Sequence, residues 1–217
     1  MTSATRTRNK RGQGTLLREE LLETASRLLV ELGDVELLTL RGLAAEIGIS
    51  APSIYRHFPD KPSLLVAVAE VEFAEFDAVL VAASTAGGDD PFERLRAAGR
   101  AYLQFAADRP AHYRILFGGV GLPCGREPSD FLRESGRTAF GTLVGLVQAC
   151  LDTSPDGATV DAFAVATEIW ATMHGLVDLP FGNPTFPWPD PVATADAWLA
   201  RFRASLHPGA TADQTAG

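Results

Sequence analysis

Residues 39–64, TLRGLAAEIGISAPSIYRHFPDKPSL, constrain the fold more than any other stretch, because they write two short amphipathic helices that meet across a glycine. Thr39 can cap the first helix with its hydroxyl, and Leu40, Leu43, Ala44 and Ile47 follow at helical spacing, giving that helix one buried face. Gly48 stands just past the last periodic residue, where a left-handed C-cap belongs; Ile49 returns to the core and Ser50 is placed to cap the next helix. The connection is only a few residues long, as in helix-turn-helix units. In the second helix Ile54 and Phe58 lie four apart and face inward, which leaves Ala51, Pro52, Ser53, Tyr55, Arg56 and His57 around the outer side and the leading end. Pro52 fits the first turn, where its missing N–H costs nothing and the helix tip stays slim enough to approach base pairs. Many small helical domains carry an L-x-x-A-x-x-I-G pattern, but that alone does not explain why Tyr55, Arg56 and His57 gather on one short helix.

The rest of the chain reads as helical too. Helices are expected at 16–32, 61–83, 91–108, 110–117, 129–151, 159–179 and 191–207, separated by Gly33, AGGDDP, DRP and a Pro-rich loop, LPFGNPTFPWPDP, expected to be non-helical. No strand-like alternation appears, so the fold class is all-α. The expected organisation is a basic, disordered arm at 1–15, a three-helix DNA-binding domain at 16–62, a larger helical body at 63–207 and a disordered tail at 208–217. The arm has no apolar run after its cations and is not read as a secretory signal. No stretch reaches about 18 uninterrupted apolar residues, which excludes a spanning helix. Cys124 and Cys150 form neither a disulfide framework nor a metal spacing, which suits a reducing cytoplasm; no cofactor or metal is expected.

Charge looks adverse to a nucleic-acid partner until it is divided. The net charge is −8, yet residues 1–62 hold nine Lys and Arg against eight Asp and Glu, while 63–217 hold ten against nineteen. Arg6, Arg8, Lys10 and Arg11 concentrate positive charge at one end, and Arg41, Arg56 and Lys61 add to it around the two short helices. A local attractive field can therefore survive on an acidic body.

The run T-L-R-x-L-A-x-x-I-G-I-S-x-x-S-I-Y-R-H-F-x-D-K-x-x-L, within residues 16–66, resembles the N-terminal domain of TetR-family transcriptional regulators. With the polar cluster itself, the resemblance implies double-stranded DNA as partner. Tyr55, His57 and Lys61 are expected on backbone phosphates, with Thr39, Arg41, Ser50, Ala51, Pro52, Ser53 and Arg56 close to base edges or adjacent phosphates. It also implies a homodimer, a palindromic operator and a small-molecule effector, most simply for a repressor.

Helix 159–179 is apolar over most of its circumference. Val160, Phe163, Thr167, Trp170, His174 and Val177 fall on one stripe, Val165, Ile169, Thr172 and Leu176 on another, and Ala164, Ala171 and Gly175 form a third of small side chains. Such a helix is buried on two sides, one of them against a second copy, and helix 191–207 with Trp198 and Phe202 is expected to join it. Trp170, His174 and Gly175 write a W-x-x-x-H-G similar to the ligand-domain signature of one large subgroup of the family. An apolar effector site is implied among Tyr102, Phe105, Tyr113, Phe117, Phe131, Phe140, Trp170, Met173 and His174, each of which could equally be core filler. Two other classes stay open. An effector-independent architectural DNA-binding protein would share the DNA module and the dimer, and Cys124, with Arg126 nearby to favour a thiolate, could sense redox state or be incidental. No nucleophile, base and orienting group occur as a motif, so no enzyme is expected.

Overall fold

The computed structural model describes residues 14–117 and 130–207, with backbone alone at residue 14 and 130–136. The expected basic arm apart from its last residues, Cys124, the side chain of Phe131 and the tail 208–217 lie outside the described residues. Among the described residues there are nine α-helices, two 3-10 turns and no strand. They are α1 (Gly14–Leu32), α2 (Leu40–Ile47), α3 (Ala51–Tyr55), α4 (Lys61–Ala86), α5 (Pro91–Asp108), α6 (Pro110–Phe117), α7 (Asp130–Leu151), α8 (Ala162–Gly182) and α9 (Pro191–Leu206). The turns are Val35–Leu37 and Pro155–Thr159.

The helices group into two compact units, and the division falls inside α4, after Phe73. The first unit holds α1 to α3, the start of α4, and α6. Leu17, Leu21, Ala25 and Leu29 of α1 recur every fourth residue and are buried, with Leu38, Leu43, Ile54, Phe58, Leu64 and Val68 closing the same core. One carboxylate is buried there. Glu72 is held by the Ser26 hydroxyl, which donates to its Oε1, and by His112 of α6, whose Nε2 lies 3.6 Å away.

The second unit holds the remainder of α4 with α5, α7, α8 and α9. α5 packs on both α8 and α9. Its apolar face, Phe92, Leu95, Ala98, Tyr102, Phe105 and Ala106, is buried together with Val147, Cys150 and Leu151 of α7 and Ala162, Ala166, Ile169 and Met173 of α8. α9 is fixed to the start and the middle of α5: Arg203 pairs with Asp90 at 3.0 Å and lies over the Phe92 ring, and Arg100 forks onto Asp196.

Two expectations about α8 need correction. The helix begins at Ala162, not 159, because Pro155–Thr159 winds as a 3-10 turn and Asp161 then caps α8 by accepting from the Phe163 N–H at 2.9 Å. It also runs through Pro180 to Gly182, so the first part of the Pro-rich segment is helical and Phe181 lies on α8. Proline in a final turn removes one hydrogen bond without breaking those that follow, and the Asn183 N–H still reaches the Leu179 carbonyl at 3.0 Å. Beyond it Phe186 lies tilted against Trp188, with ring centroids 4.4 Å apart, and the indole N–H donates to the Asn183 carbonyl, so these loop aromatics pack on each other.

Candidate nucleic-acid interface and effector region

Local chemistry sets the angle between α2 and α3. Thr39 is extended, and its Oγ1 accepts from the Gly42 N–H at 3.0 Å, leaving the hydroxyl hydrogen available to a further acceptor. Gly48 adopts φ 77 and ψ 33, the left-handed cap the sequence calls for, and the Ile49 N–H returns to the Ala44 carbonyl at 2.9 Å. Ile54 and Phe58 are then driven inward, at 0% and 2% exposure.

Two details differ from the sequence reading. Ser50 occupies the N-cap position of α3, but its side chain makes no capping bond; its Oγ lies 2.9 Å from the Ser53 Oγ instead. With Pro52 in the first turn, the helix has one orphan N–H fewer to satisfy, and the hydroxyl is released for a side-chain partner. α3 is also short. It ends at Tyr55, so Arg56 is its C-cap and His57 sits in the turn beyond, both off the helix proper.

The outward surface that results is polar. Thr39, Arg41, Ser50, Pro52, Tyr55 and Arg56 are exposed, and Ala51, Ser53, His57 and Lys61 are half-buried beside them. Arg56 donates to the Ser53 Oγ at 3.3 Å, so Ser50, Ser53 and Arg56 form one hydrogen-bonded row along the leading side of α3. Lys61, the first residue of α4, pairs with Glu36 of the first 3-10 turn at 3.4 Å. Nothing in the sequence marks that partnership, since 25 residues separate the two.

The aromatic residues expected around an effector divide between the units. Tyr113, 1% exposed, and Phe117 belong to the first unit, where Phe117 meets Phe73 edge to face. The other described ones form a continuous ladder in the second unit. Phe105 meets Phe76, Phe76 meets Tyr102, Tyr102 meets His174, His174 meets Trp170 and Trp170 meets Phe140, with centroids 5.0–5.7 Å apart. Met173 is buried on the inner face of α8, and a Cβ built at Gly99 of α5 would lie 3.7 Å from the Met173 methyl, in ordinary van der Waals contact.

His174 is the polar point of the ladder. Its Nδ1 lies 3.0 Å from both the Tyr102 hydroxyl and the Trp170 carbonyl. The carbonyl can only accept, so Nδ1 carries the hydrogen and the tyrosine hydroxyl accepts with it. Burial lowers the His174 pKa, only partly opposed by the Trp170 carbonyl and by Asp178, so the ring is neutral at physiological pH. Trp170 itself remains 45% exposed, on the outer side of α8 beside Phe163 at 60%.

The raw material for other chemistries is dispersed. His112 is engaged with Glu72 in the first unit, and burial pushes the Cys150 thiol up to about 12, far from a reactive thiolate. Among the described residues no group of three or more His, Cys, Asp or Glu is placed to hold a metal ion, and no helix is long and apolar enough to cross a membrane.

Comparison with known proteins adds to this geometry. Residues 21–68 match the model of bacterial regulatory proteins of the tetR family, and residues 95–202 match the tetracyclin repressor-like C-terminal domain. The nucleoid occlusion factor SlmA of Photobacterium profundum is 32% identical over 103 residues, 46% of this chain and 51% of that protein. The chain thus spans about half the length of that relative. A Rhodococcus sp. RHA1 protein of unknown function superposes with a TM-score of 0.73 at 28% identity, over 88% of this chain and 95% of that one. A TetR-family transcriptional regulator from Pectobacterium atrosepticum gives 0.59 at 26% identity, over 92% and 95%. The FadR regulator of Bacillus subtilis, solved with stearoyl-CoA, shares the fold at a TM-score of 0.67 and 14% identity, over 87% and 99%.

Proposed function

Because the chain belongs to the TetR family of bacterial regulatory proteins, we propose that it is a cytoplasmic, non-catalytic, homodimeric repressor that binds a palindromic operator and is released by a small apolar effector. The observation that carries the reading is the polar surface of the helix-turn-helix. The buried pair Ile54 and Phe58 fixes α3 from behind, and Thr39, Arg41, Ser53, Tyr55, Arg56, His57 and Lys61 are left at or near the surface on the other side. Phosphate contacts from Tyr55, His57 and Lys61 would set register, and the row Ser50, Ser53, Arg56 with Ala51 and Pro52 would approach base edges. Residues 16–62 carry this surface, and 63–207 would carry the effector site and the dimer.

The dimer reading rests on α8. Its inner residues Ala162, Ala166, Ile169 and Met173 are buried within the protomer, while Phe163 and Trp170 stay exposed beside the small residues Ala164, Thr167 and Ala171. That outer face offers apolar rings beside small side chains for close approach of a symmetry-related α8, with α9 at its flank. The effector reading rests on the aromatic ladder and the neutral His174, an apolar lining with one hydrogen-bonding point. The acyl-CoA complex of the FadR neighbour supports only the statement that this fold can hold an apolar chain. A ligand that favours a dimer geometry with wrongly spaced α3 helices would lower DNA affinity by its differential affinity for the two states.

The test is a salt titration of DNA binding with Tyr55→Ala and Lys61→Ala. Both should weaken binding regardless of sequence, and Lys61→Ala should flatten the log–log salt slope by about 0.9. Unchanged affinity in both variants refutes the interface. An effector-independent architectural protein is the second reading, favoured by the similarity to a nucleoid occlusion factor. Release of bound DNA by apolar compounds, lost in His174→Ala or Trp170→Phe, separates the two.

A further inference from the structure

Lys61 occupies a position that a cation does not choose for the sake of its helix. It is the first residue of the 26-residue α4, at the positive end of the helix dipole, and the cap is already made by Asp60, whose Oδ1 accepts from the Ser63 N–H at 2.8 Å. An ammonium there needs a negative partner, and in this chain the partner is internal. Glu36 Oε2 lies 3.4 Å from Lys61 Nζ. The carboxylate is 81% exposed, yet its backbone is not free to wander. Glu36 sits in the 3-10 turn between the buried Val35 and Leu38, with its N–H donated to Asp34 Oδ1 at 2.9 Å. The pair therefore joins the segment that enters α2 to the segment that leaves α3, along the edge of the polar surface described above.

We propose that Glu36 sets the DNA affinity of this protein by competing with phosphate for Lys61: the carboxylate occupies the ammonium in the free protein and must give it up when DNA docks. This rests on the reading of the helix-turn-helix as a DNA interface with Lys61 on a phosphate. The displaced carboxylate then stands beside the phosphate that replaced it, so Glu36 opposes binding in both states, once as competitor and once as a like charge. An exposed pair of this kind is worth a factor of a few in an equilibrium constant and fades as salt screens it.

The test is a double-mutant cycle on the full-length protein with a mixed-sequence DNA duplex, read by retardation or anisotropy across a salt series, with a thermal melt of each variant. Glu36→Gln should tighten binding about threefold to fivefold at low salt, the gain shrinking toward one at high salt, with an unchanged melt. In a Lys61→Gln background the same substitution should give a clearly smaller gain, the part left by like-charge repulsion alone. Glu36→Asp, which keeps the charge but withdraws it by one methylene, should fall between wild type and Glu36→Gln. An equal gain in both backgrounds would overturn the proposal in favour of undirected repulsion. Weaker binding with a lowered melt, or no change at all, overturns it as well, the former marking the pair as a structural clasp. Failure of the wild-type protein to retard the duplex at low salt defeats the DNA-binding reading itself, a result distinct from any of these.

Discussion

The turn at Gly48 offers a substitution whose cost can be worked out in advance, because no steric clash adds to the backbone effects. Gly48 sits at φ 77, and a Cβ built there meets nothing within 4 Å. Alanine at this position therefore bears the backbone penalty of the left-handed region, about 1–2 kcal/mol, and no clash. Loss of glycine's freedom in the unfolded chain returns about 0.5 kcal/mol, leaving a net destabilisation near 1 kcal/mol. In a chain of this size that lowers the melting midpoint by about 2–4 °C. Asparagine, whose side chain tolerates the left-handed region, should cost less than alanine, and valine, branched at Cβ, should cost more. Gly157 supplies the contrast: its φ is not positive, but a Cβ there would lie 2.1 Å from the Leu151 carbonyl oxygen, so Gly157→Ala must displace backbone and should cost about 3 kcal/mol. Urea unfolding followed by far-UV circular dichroism measures all four variants. If Gly48→Ala costs as much as Gly157→Ala, or Gly48→Asn costs no less than Gly48→Ala, the argument that backbone conformation alone fixes this turn is wrong.

Two further outcomes follow from the second unit. Phe163 exposes 60% of itself on α8; taking about 200 Å² for an aromatic and about 25 cal/mol per Å², a partner that covers it gains about 3 kcal/mol from each protomer. Phe163→Glu should accordingly convert the dimer to a folded monomer in light scattering, and an unchanged dimer would move the interface off this face. Burial lowers the His174 pKa, so the unfolded state binds the extra proton first as pH falls. Its stability contribution is complete above the ordinary imidazole value near 6.5 and is lost as pH drops through the lowered folded value. His174→Gln should flatten the melting midpoint across that window, and an identical pH profile in the variant would contradict the assignment.

How far the sequence could be read depended on the range of the interactions that decide each feature. The helix-turn-helix is settled by neighbours: Thr39 caps its own helix, Gly48 supplies its own φ, and Leu40, Leu43, Ile54 and Phe58 show their inward face by spacing alone. Its two misread details, the uncapping Ser50 and the early end of α3, turn on side-chain choices among equally local alternatives. α8 is the opposite case. A helix apolar around most of its circumference carries no moment to say which stripe meets its own core. The choice of Ala166, Ile169 and Met173 for the inside, and Phe163 and Trp170 for the outside, is made by packing against a distant element, α5. The same holds for the aromatic set. Tyr113 and Phe117 follow α5 directly in sequence, but Arg109 leaves helical geometry at φ −129 and ψ 57 before Pro110, and α6 groups with the first unit, against Phe73. Lys61 and Glu36 are the limiting example. Each is an ordinary surface residue in its own segment, and only the folded path from the first 3-10 turn to the start of α4 brings a competitor to the ammonium on which phosphate binding is proposed to depend. The sign of a charge can be read from the chain, whereas the counter-charge it must first abandon is a property of the fold.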